Sequence, residues 1–274
     1  MSTVSMNYQL VRVALWLIPA VLSLAWLAPQ PARAAHARCP TPGVQSPVIT
    51  AHPTERRRMA LTFDADAFHA GTSDILDALQ RYDAHATFFL TGTWMRAHPE
   101  FVQRMLTEGH QVVTHGNVHV DFRNLSDAQI RANLATAEAE LADLGGAGWP
   151  YIRLPSDAFD GRVLRTLCQQ GYSYIFWALD ARDAVGEPKS AAYVYNRLVN
   201  HLSGDNGQGA VVLLHLGKPG TTAALPRALG YFDGQGYRFM TIHDLLHTPD
   251  HVPRARPFNP ATCHTMDLVF CNAQ

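Results

Sequence analysis

Short apolar runs alternate along the chain with segments whose apolar residues recur at spacings of three and four. The runs are typical of buried strands, and the recurring spacing is typical of amphipathic helices. The predicted strands are 59–63, 86–90, 111–114, 151–154, 174–178, 210–214 and 238–241. The predicted helices are 73–82, 98–108, 126–144, 160–170, 190–203 and 222–235. This alternation predicts an α/β fold with a parallel sheet.

About seven strands in one sheet lead us to expect a distorted (β/α) barrel that forms a single catalytic domain. In such a barrel the reactive side chains gather at the carboxyl ends of the strands. Six polar residues fall at predicted strand ends: Asp64, Asp66, His115, Arg153, Asp180 and His215. The sequence therefore predicts one polar cluster at one end of the barrel.

The two ends of the chain differ from this central pattern. We expect residues 1–34 to be a signal peptide, 35–57 an N-terminal extension, 58–248 the catalytic domain and 249–274 a C-terminal tail. Arg12 precedes an apolar run that ends before Ala32-Arg33-Ala34, a small-x-small cleavage site. An uncleaved anchor is the alternative, but the run is short for a membrane span. We therefore expect an exported protein, periplasmic or secreted, with no stable membrane insertion after cleavage.

Composition narrows the class of protein. Of the 274 residues, 47% are hydrophobic and 16% are charged, which is typical of a globular protein. The formal net charge of −1 gives no reason to expect a nucleic-acid partner. Among the 22 basic residues only Lys189 and Lys218 are lysines.

Export makes disulfides possible. Cys39, Cys263 and Cys271 lie outside the strand–helix region, and the sequence leaves their pairing open. Cys168 belongs to a helical pattern, and we expect it to be a buried thiol.

Two histidines indicate a metal site. His115 and His119 are four residues apart, which puts both imidazoles on one face of a helical turn. The strand that ends in Asp64-Ala65-Asp66 offers a third ligand and a general base. Two histidines and one carboxylate leave coordination positions open, as in hydrolytic rather than structural metal sites.

Three further residues have a catalytic interpretation beside a structural one. His215 follows a buried strand and suits a general acid, although a lone histidine is more often a core residue. Asp180 could hold that imidazole in its cationic form, and Arg153 could keep Asp64 ionised. For both, a structural ion pair is the alternative.

The order of these motifs resembles the polysaccharide deacetylase family, with its NodB-homology domain (carbohydrate esterase family 4). The resemblance covers residues 58–247, and five motifs occur in the family's order. Its segments are Leu61-Thr62-Phe63-Asp64, 86–90, 109–119 with 124–126, Arg153-Leu154-Pro155, 177–183, Leu213-Leu214-His215 and 236–239 with Leu245-Leu246.

The resemblance implies a metal-dependent hydrolase that removes N-acetyl groups from a polysaccharide or oligosaccharide, acting on carbon–nitrogen bonds other than peptide bonds. Zinc is the favoured metal, with cobalt, nickel or iron as alternatives. The implied catalytic residues are Asp64 as base, His215 as acid, Asp180 as its orienting partner and Arg153 as modulator of the base. The implied metal ligands are Asp66, His115 and His119.

The chain departs from the family pattern at three places. The usual adjacent Asp-Asp is Asp64-Ala65-Asp66, so the metal carboxylate must be Asp66. The aromatic residue that usually ends the fourth motif is Ala184, which removes a pocket wall. The third motif continues with Ser156-Asp157 instead of Tyr-Gly, where a backbone donor to an oxyanion is expected.

Two alternatives to an N-deacetylase remain. One is an O-acetyl esterase that uses the same residues, and the other is a non-catalytic glycan-binding relative, which these departures leave open although all six candidate polar residues are present. The sequence leaves open which glycan is bound, with peptidoglycan, a chitin-type oligomer or an exopolysaccharide as candidates. It also leaves open the native metal and the oligomeric state.

Overall fold

The computed structural model describes residues 45–250. The predicted signal peptide, the cleavage site and three of the four cysteines lie outside the described residues. Within them, no helix is both long enough and apolar enough to cross a membrane.

Nine strands of the described chain form one parallel sheet. They are β1 (Val48–Ile49), β2 (Arg58–Ala65), β3 (Thr87–Leu90), β4 (Gln111–Thr114), β5 (Tyr151–Ile152), β6 (Ser173–Ile175), β7 (Leu179–Asp180), β8 (Ala210–His215) and β9 (Arg238–Phe239). Their order is β1-β6-β5-β4-β3-β2-β8-β7, with β9 paired to β2. The sheet curls into an incomplete barrel, and the prediction of an α/β distorted barrel in a single domain is confirmed.

Eight α-helices connect or flank these strands within residues 45–250. They are α1 (Thr72–Arg81), α2 (Gly92–Ala97), α3 (Pro99–Thr107), α4 (Asp127–Asp143), α5 (Gly161–Gln169), α6 (Ala191–Leu202), α7 (Pro219–Gly234) and α8 (Ile242–His247). Local sequence fixes several of their starts. Ser126 and Gln129 form a capping box at α4, and Ser190 caps α6.

Side-chain alternation along β2 decides what lies inside the barrel. Met59, Leu61 and Phe63 belong to the main hydrophobic cluster, which includes side chains of the surrounding helices. Successive residues of a strand point to opposite faces, so Thr62 and Asp64 point into the barrel. A carboxylate is thereby placed in the interior by strand periodicity alone.

Some predicted strand boundaries are wrong, because an apolar run does not indicate which neighbouring strand each of its residues pairs with. The predicted strand 174–178 is divided between β6 and β7. Phe176 N donates to Ile49 O at 2.8 Å, whereas Ala178 N donates to Val211 O at 2.8 Å. The run therefore crosses from one neighbour to another. The structure also adds α2, which was not predicted, and β1, which lies in the segment predicted to be an N-terminal extension.

Cys168 corrects another expectation. Its side chain is buried on α5, as its helical spacing indicates, but it is disulfide-bonded and not a free thiol. Its partner lies outside the described residues. Periodicity reports burial and gives no information on whether a second cysteine approaches.

Candidate active site

The register of the parallel strands brings the predicted polar residues to one end of the barrel. Asp64 on β2 lies directly opposite His215 on β8. Thr114 on β4 lies opposite Ile152 on β5, so the next residues, His115 and Arg153, leave the sheet side by side. Residues far apart in sequence are thus neighbours because parallel strands end at the same edge.

Arg153 is the centre of the interior half of this cluster. Its side chain is 0% exposed and donates from Nη1 to Asp64 Oδ1 at 2.7 Å and to Thr62 Oγ1 at 2.9 Å. Its Nε and Nη2 donate to the carbonyls of Ile175 and Phe176 at 3.1 Å each. The buried guanidinium therefore has a partner for every nitrogen, which is what a buried charge requires.

This arrangement keeps Asp64 ionised. Burial alone would raise the pKa of Asp64, but Arg153, His115 and His215 together outweigh burial and hold that pKa below its usual value. The predicted pairing of Arg153 with Asp64 is present in the structure.

His115 is held in one orientation by the same arginine residue. Its Nδ1 lies 2.9 Å from the carbonyl oxygen of Arg153, and since a carbonyl only accepts, Nδ1 carries the proton. Nε2 is then the unprotonated nitrogen, and it lies 4.0 Å from Asp64 Oδ2. Burial is the main cause of a lowered pKa at His115, which favours the neutral imidazole.

His119 and Asp66 lie at the outer edge of the cluster. Their side chains are 37% and 41% exposed, and His119 Nε2 lies 3.8 Å from Asp66 Oδ2. The rings of His115 and His119 are 5.5 Å apart, centroid to centroid. Within residues 45–250, no three His, Cys, Asp or Glu side chains are arranged closely enough to hold a metal ion.

The donor chemistry nevertheless fits a divalent metal. A neutral imidazole with Nδ1–H bonded to a carbonyl offers its Nε2 as a ligand, and this is the outer-shell contact that metal-binding histidines commonly make. Asp66 and His119 supply a carboxylate oxygen and a second imidazole, and both side chains are exposed enough to turn. The residues present therefore match a His-His-carboxylate set.

His215 has a different partner from the one predicted. Its Nδ1 lies 2.8 Å from Asp183 Oδ1, its backbone N–H donates to Asp183 Oδ2 at 2.9 Å, and Thr221 Oγ1 donates to the same oxygen at 2.5 Å. Burial alone would lower the pKa of His215, but the contacts with Asp183 outweigh it and the pKa is raised. Asp183 is the buried carboxylate that holds this imidazole.

The assignment of Asp180 as this partner is wrong. The side chain of Asp180 accepts from Arg182 N at 2.6 Å, and its carbonyl accepts from Arg197 Nε at 2.6 Å. Arg182 has φ of 55°, a left-handed conformation that turns the chain after β7 and directs Asp183 towards β8. Position at a strand end favoured Asp180, whereas this turn, which sequence does not reveal, selects Asp183.

The cluster opens into a cleft of about 280 Å³. Besides the residues above, its lining includes Ser156, Asp157, Trp177 and Ala184. Ser156 and Asp157 have φ of 55° and 52°, so two consecutive non-glycine residues are left-handed where the third motif departs from the family pattern.

Asp157 is a further ionisable residue of the cleft, and no sequence pattern predicted a role for it. Its Oδ1 accepts from Tyr174 Oη at 3.1 Å. Partial burial, together with the negative charge of Asp64, raises the pKa of Asp157 to about 6. A carboxylic acid that titrates near neutral pH therefore lines the cleft.

Matches to known proteins show which family the chain belongs to. A family model for polysaccharide deacetylase matches residues 51–175. An uncharacterised 30.6 kDa protein of Geobacillus stearothermophilus is 35% identical over 70% of this chain and 71% of its own length. A peptidoglycan-N-acetylglucosamine deacetylase of Bacillus cereus is 30% identical over 71% of this chain and 90% of its own length. The chain belongs to the polysaccharide deacetylase family.

A solved structure of a family 4 carbohydrate esterase has the same fold. Bacillus subtilis PdaA, a family 4 carbohydrate esterase, superposes with a TM-score of 0.66 at 28% identity, covering 72% of this chain and 84% of that one. The resemblance to the NodB-homology family, inferred from the motifs, is thereby confirmed.

Proposed function

We propose that this protein is a metal-dependent hydrolase that removes N-acetyl groups from a glycan, with peptidoglycan, a chitin-type oligomer or an exopolysaccharide as candidates. The observation that carries the proposal is the pair of ionisable side chains facing each other on β2 and β8. The pKa of Asp64 is lowered and that of His215 is raised. Titratable groups whose pKa values are pushed apart suit the roles of base and acid.

Asp64 is the proposed general base. Arg153 keeps it ionised, and the carboxylate accepts the proton of the water that attacks the acetyl carbonyl. Arg153 itself is a positioning residue, because it acts through Asp64 and its guanidinium is fully buried.

His215 is the proposed general acid. Asp183 stabilises its imidazolium, so that its Nε2–H can protonate the departing amine. The lowered pKa of Asp64 and the raised pKa of His215 widen the range of pH in which the base is ionised while the acid is protonated.

Asp66, His115 and His119 would hold the divalent metal, with zinc favoured over cobalt, nickel or iron. When bound there, a divalent metal supplies polarisation of the acetyl carbonyl and a more acidic water. Because His115 is fixed and Asp66 is exposed, we expect the exposed ligands to adjust to the metal.

The test is acetate release from N-acetylglucosamine oligomers and from peptidoglycan by the full-length protein, first stripped of metal and then supplied with zinc. Zinc-dependent acetate release that is lost in Asp66→Ala supports the proposal. Asp143→Ala, which removes an exposed carboxylate at the end of α4, is the matched control and should behave as wild type.

Two outcomes favour the alternatives. Release of acetate only from O-acetylated glycans would identify an esterase. Binding of oligomers with no acetate release, in protein that still takes up zinc, would identify a glycan-binding relative.

We also propose that residues 1–34 direct export to the periplasm or the medium. Sequencing the amino terminus of the protein recovered from cells tests this proposal. A mature chain that starts at Ala35 supports it, and an intact Met1 contradicts cleavage.

A further inference from the structure

A second, smaller cavity of about 170 Å³ adjoins the cleft. Phe68, Ala184 and Lys218 line both spaces. The methyl side chain of Ala184 leaves little bulk between them. Whole small molecules occupy pockets of about 300–1,000 Å³, so this cavity suits a substituent of the substrate and not a complete sugar.

Both lysines of the chain line this cavity. Lys189 precedes α6 and Lys218 precedes α7, so two separate segments each contribute one lysine to the lining of the cavity. Both side chains are only partly exposed, and neither forms an ion pair within residues 45–250. We call this cavity, with its walls Phe68, Lys189 and Lys218, the lysine pocket.

The aromatic neighbours of the lysines orient them without neutralising them. Lys218 Nζ lies 5.1 Å from the ring centroid of Phe68, a side chain that is 58% exposed. Lys189 Nζ lies 5.5 Å from the ring centroid of Tyr193. A cation over an aromatic face keeps its full charge and can still bind an anion.

The carboxylates near the pocket do not neutralise the two lysines either. Asp183 also lines the cavity, but its two oxygens are occupied by His215 and Thr221. Glu187 is exposed and forms no ion pair within the described chain. The two ammonium groups therefore remain available to a ligand.

The walls of the pocket are held by close backbone packing. A Cβ at Gly217, whose φ is +72°, would overlap the Cβ of Phe68. A Cβ at Gly220 would overlap the carbonyl oxygen of Lys189. Because both positions are glycine, the segments that carry Phe68, Lys189 and Lys218 approach one another closely, and their backbones hold the two lysines at the wall of the cavity.

We propose that the lysine pocket binds a carboxylate carried by the glycan next to the acetylated sugar, so that the enzyme prefers acidic glycans. This inference rests on the proposed deacetylase function, because the pocket opens from its cleft. Two ammonium groups favour an anion, and the small volume fits a short acidic substituent. A lactyl ether and a uronate carboxylate share this chemistry.

The experiment compares matched substrates with the full-length, zinc-supplied protein. The substrates are a neutral N-acetylglucosamine tetramer, a tetramer with lactyl ethers on alternate sugars, and a tetramer that alternates N-acetylglucosamine with glucuronate, each of the two acidic tetramers also being prepared with its carboxylates amidated. We expect kcat/KM to favour an acid over its amide by about tenfold, mainly through KM, as one charge-assisted contact provides. The acid that shows this preference identifies the source of the carboxylate.

The lysine variants assign the preference to the pocket. Lys189→Met and Lys218→Met should each reduce the acid-to-amide ratio, and the double variant should bring it to about one. Lys189→Arg should retain the preference, because the charge is kept. Arg131→Met, which removes an exposed cation from α4, is the matched control and should leave the ratio unchanged.

The outcomes separate this proposal from the one on which it rests. Equal acetate release from acid and amide overturns the lysine pocket and leaves the deacetylase standing. If no substrate yields acetate, calorimetry of acid and amide binding to wild type and to the double variant decides the pocket alone. Tighter binding of the acid, lost in the double variant, supports it, and equal binding overturns it.

Discussion

The inner and outer halves of the active site are built differently, although Asp64 of the inner half and Asp66 of the outer half are only two residues apart at the end of β2. Arg153 and Asp64 are buried, and every nitrogen of the guanidinium is hydrogen-bonded. Asp66 and His119 are more than a third exposed and touch each other only at 3.8 Å. The inner half is fixed by folding, whereas the outer half leaves room for a ligand to complete it.

The largest expected effect comes from breaking the inner half. Arg153→Met leaves the Asp64 carboxylate buried without its cation, and removal of one member of a buried ion pair costs about 3–5 kcal/mol of unfolding free energy. Asp66→Ala should change stability by less than about 0.5 kcal/mol in metal-free protein, because the site is exposed. Chemical denaturation of both variants measures their losses of unfolding free energy. Equal losses would contradict the difference between the inner and outer halves.

A second test separates the two aspartates near His215. Asp183→Asn should lower kcat about 100-fold, because the imidazolium loses the carboxylate that stabilises it. Asp180→Asn should lower kcat less than about threefold, since its side chain only accepts from Arg182 N. A larger loss in Asp180→Asn than in Asp183→Asn would reverse our assignment.

The Asp183→Asn variant should also change the pH dependence of activity. A general acid works only while protonated, so activity should fall as pH rises through the pKa of His215, which the contacts with Asp183 raise above its ordinary value. Without Asp183 the main cause of that increase is gone, and the alkaline limb should move to lower pH. A limb that stays in place in Asp183→Asn would exclude His215 as the titrating group.

Zinc binding tests the outer half of the site. At 100 times its dissociation constant, zinc should stabilise wild type by about 2.7 kcal/mol. His119→Gln should lose most of this increment while the metal-free protein keeps its Tm, because His119 is exposed. Thermal unfolding with and without zinc measures both quantities. An undiminished zinc increment in the variant would remove His119 from the ligand set.

The smallest effect concerns Asp157. Its pKa of about 6 exceeds the unfolded value near 4, so the native state binds the proton more tightly and loses stability as pH rises from about 4 to 6. Asp157→Asn cannot ionise and tolerates a left-handed φ, so above pH 6 its Tm should exceed that of wild type by about 3–8 °C. Below pH 4 the two should coincide, and an equal difference at all pH values would contradict this account.

Much of the site could be predicted because strand ends are local features. Asp64, His115, Arg153 and His215 each follow an apolar run, and a parallel sheet brings such ends together. The motif order of the family then assigned roles that spacing alone left open. Asp180 shows where this kind of prediction fails. It lies at the expected strand end, but the left-handed turn at Arg182 returns Asp183 to the site instead.

By itself the sequence determined the strand–helix alternation, the parallel sheet, the family and the residues that could act as base, acid and ligands, since these depend on residue type and short-range periodicity. Only the tertiary structure decided that Asp183 holds His215, that Asp157 titrates near neutral pH and that Lys189 and Lys218 share one pocket. These features join segments distant along the chain, and their positions depend on turns, tight glycine contacts and burial that no local pattern encodes.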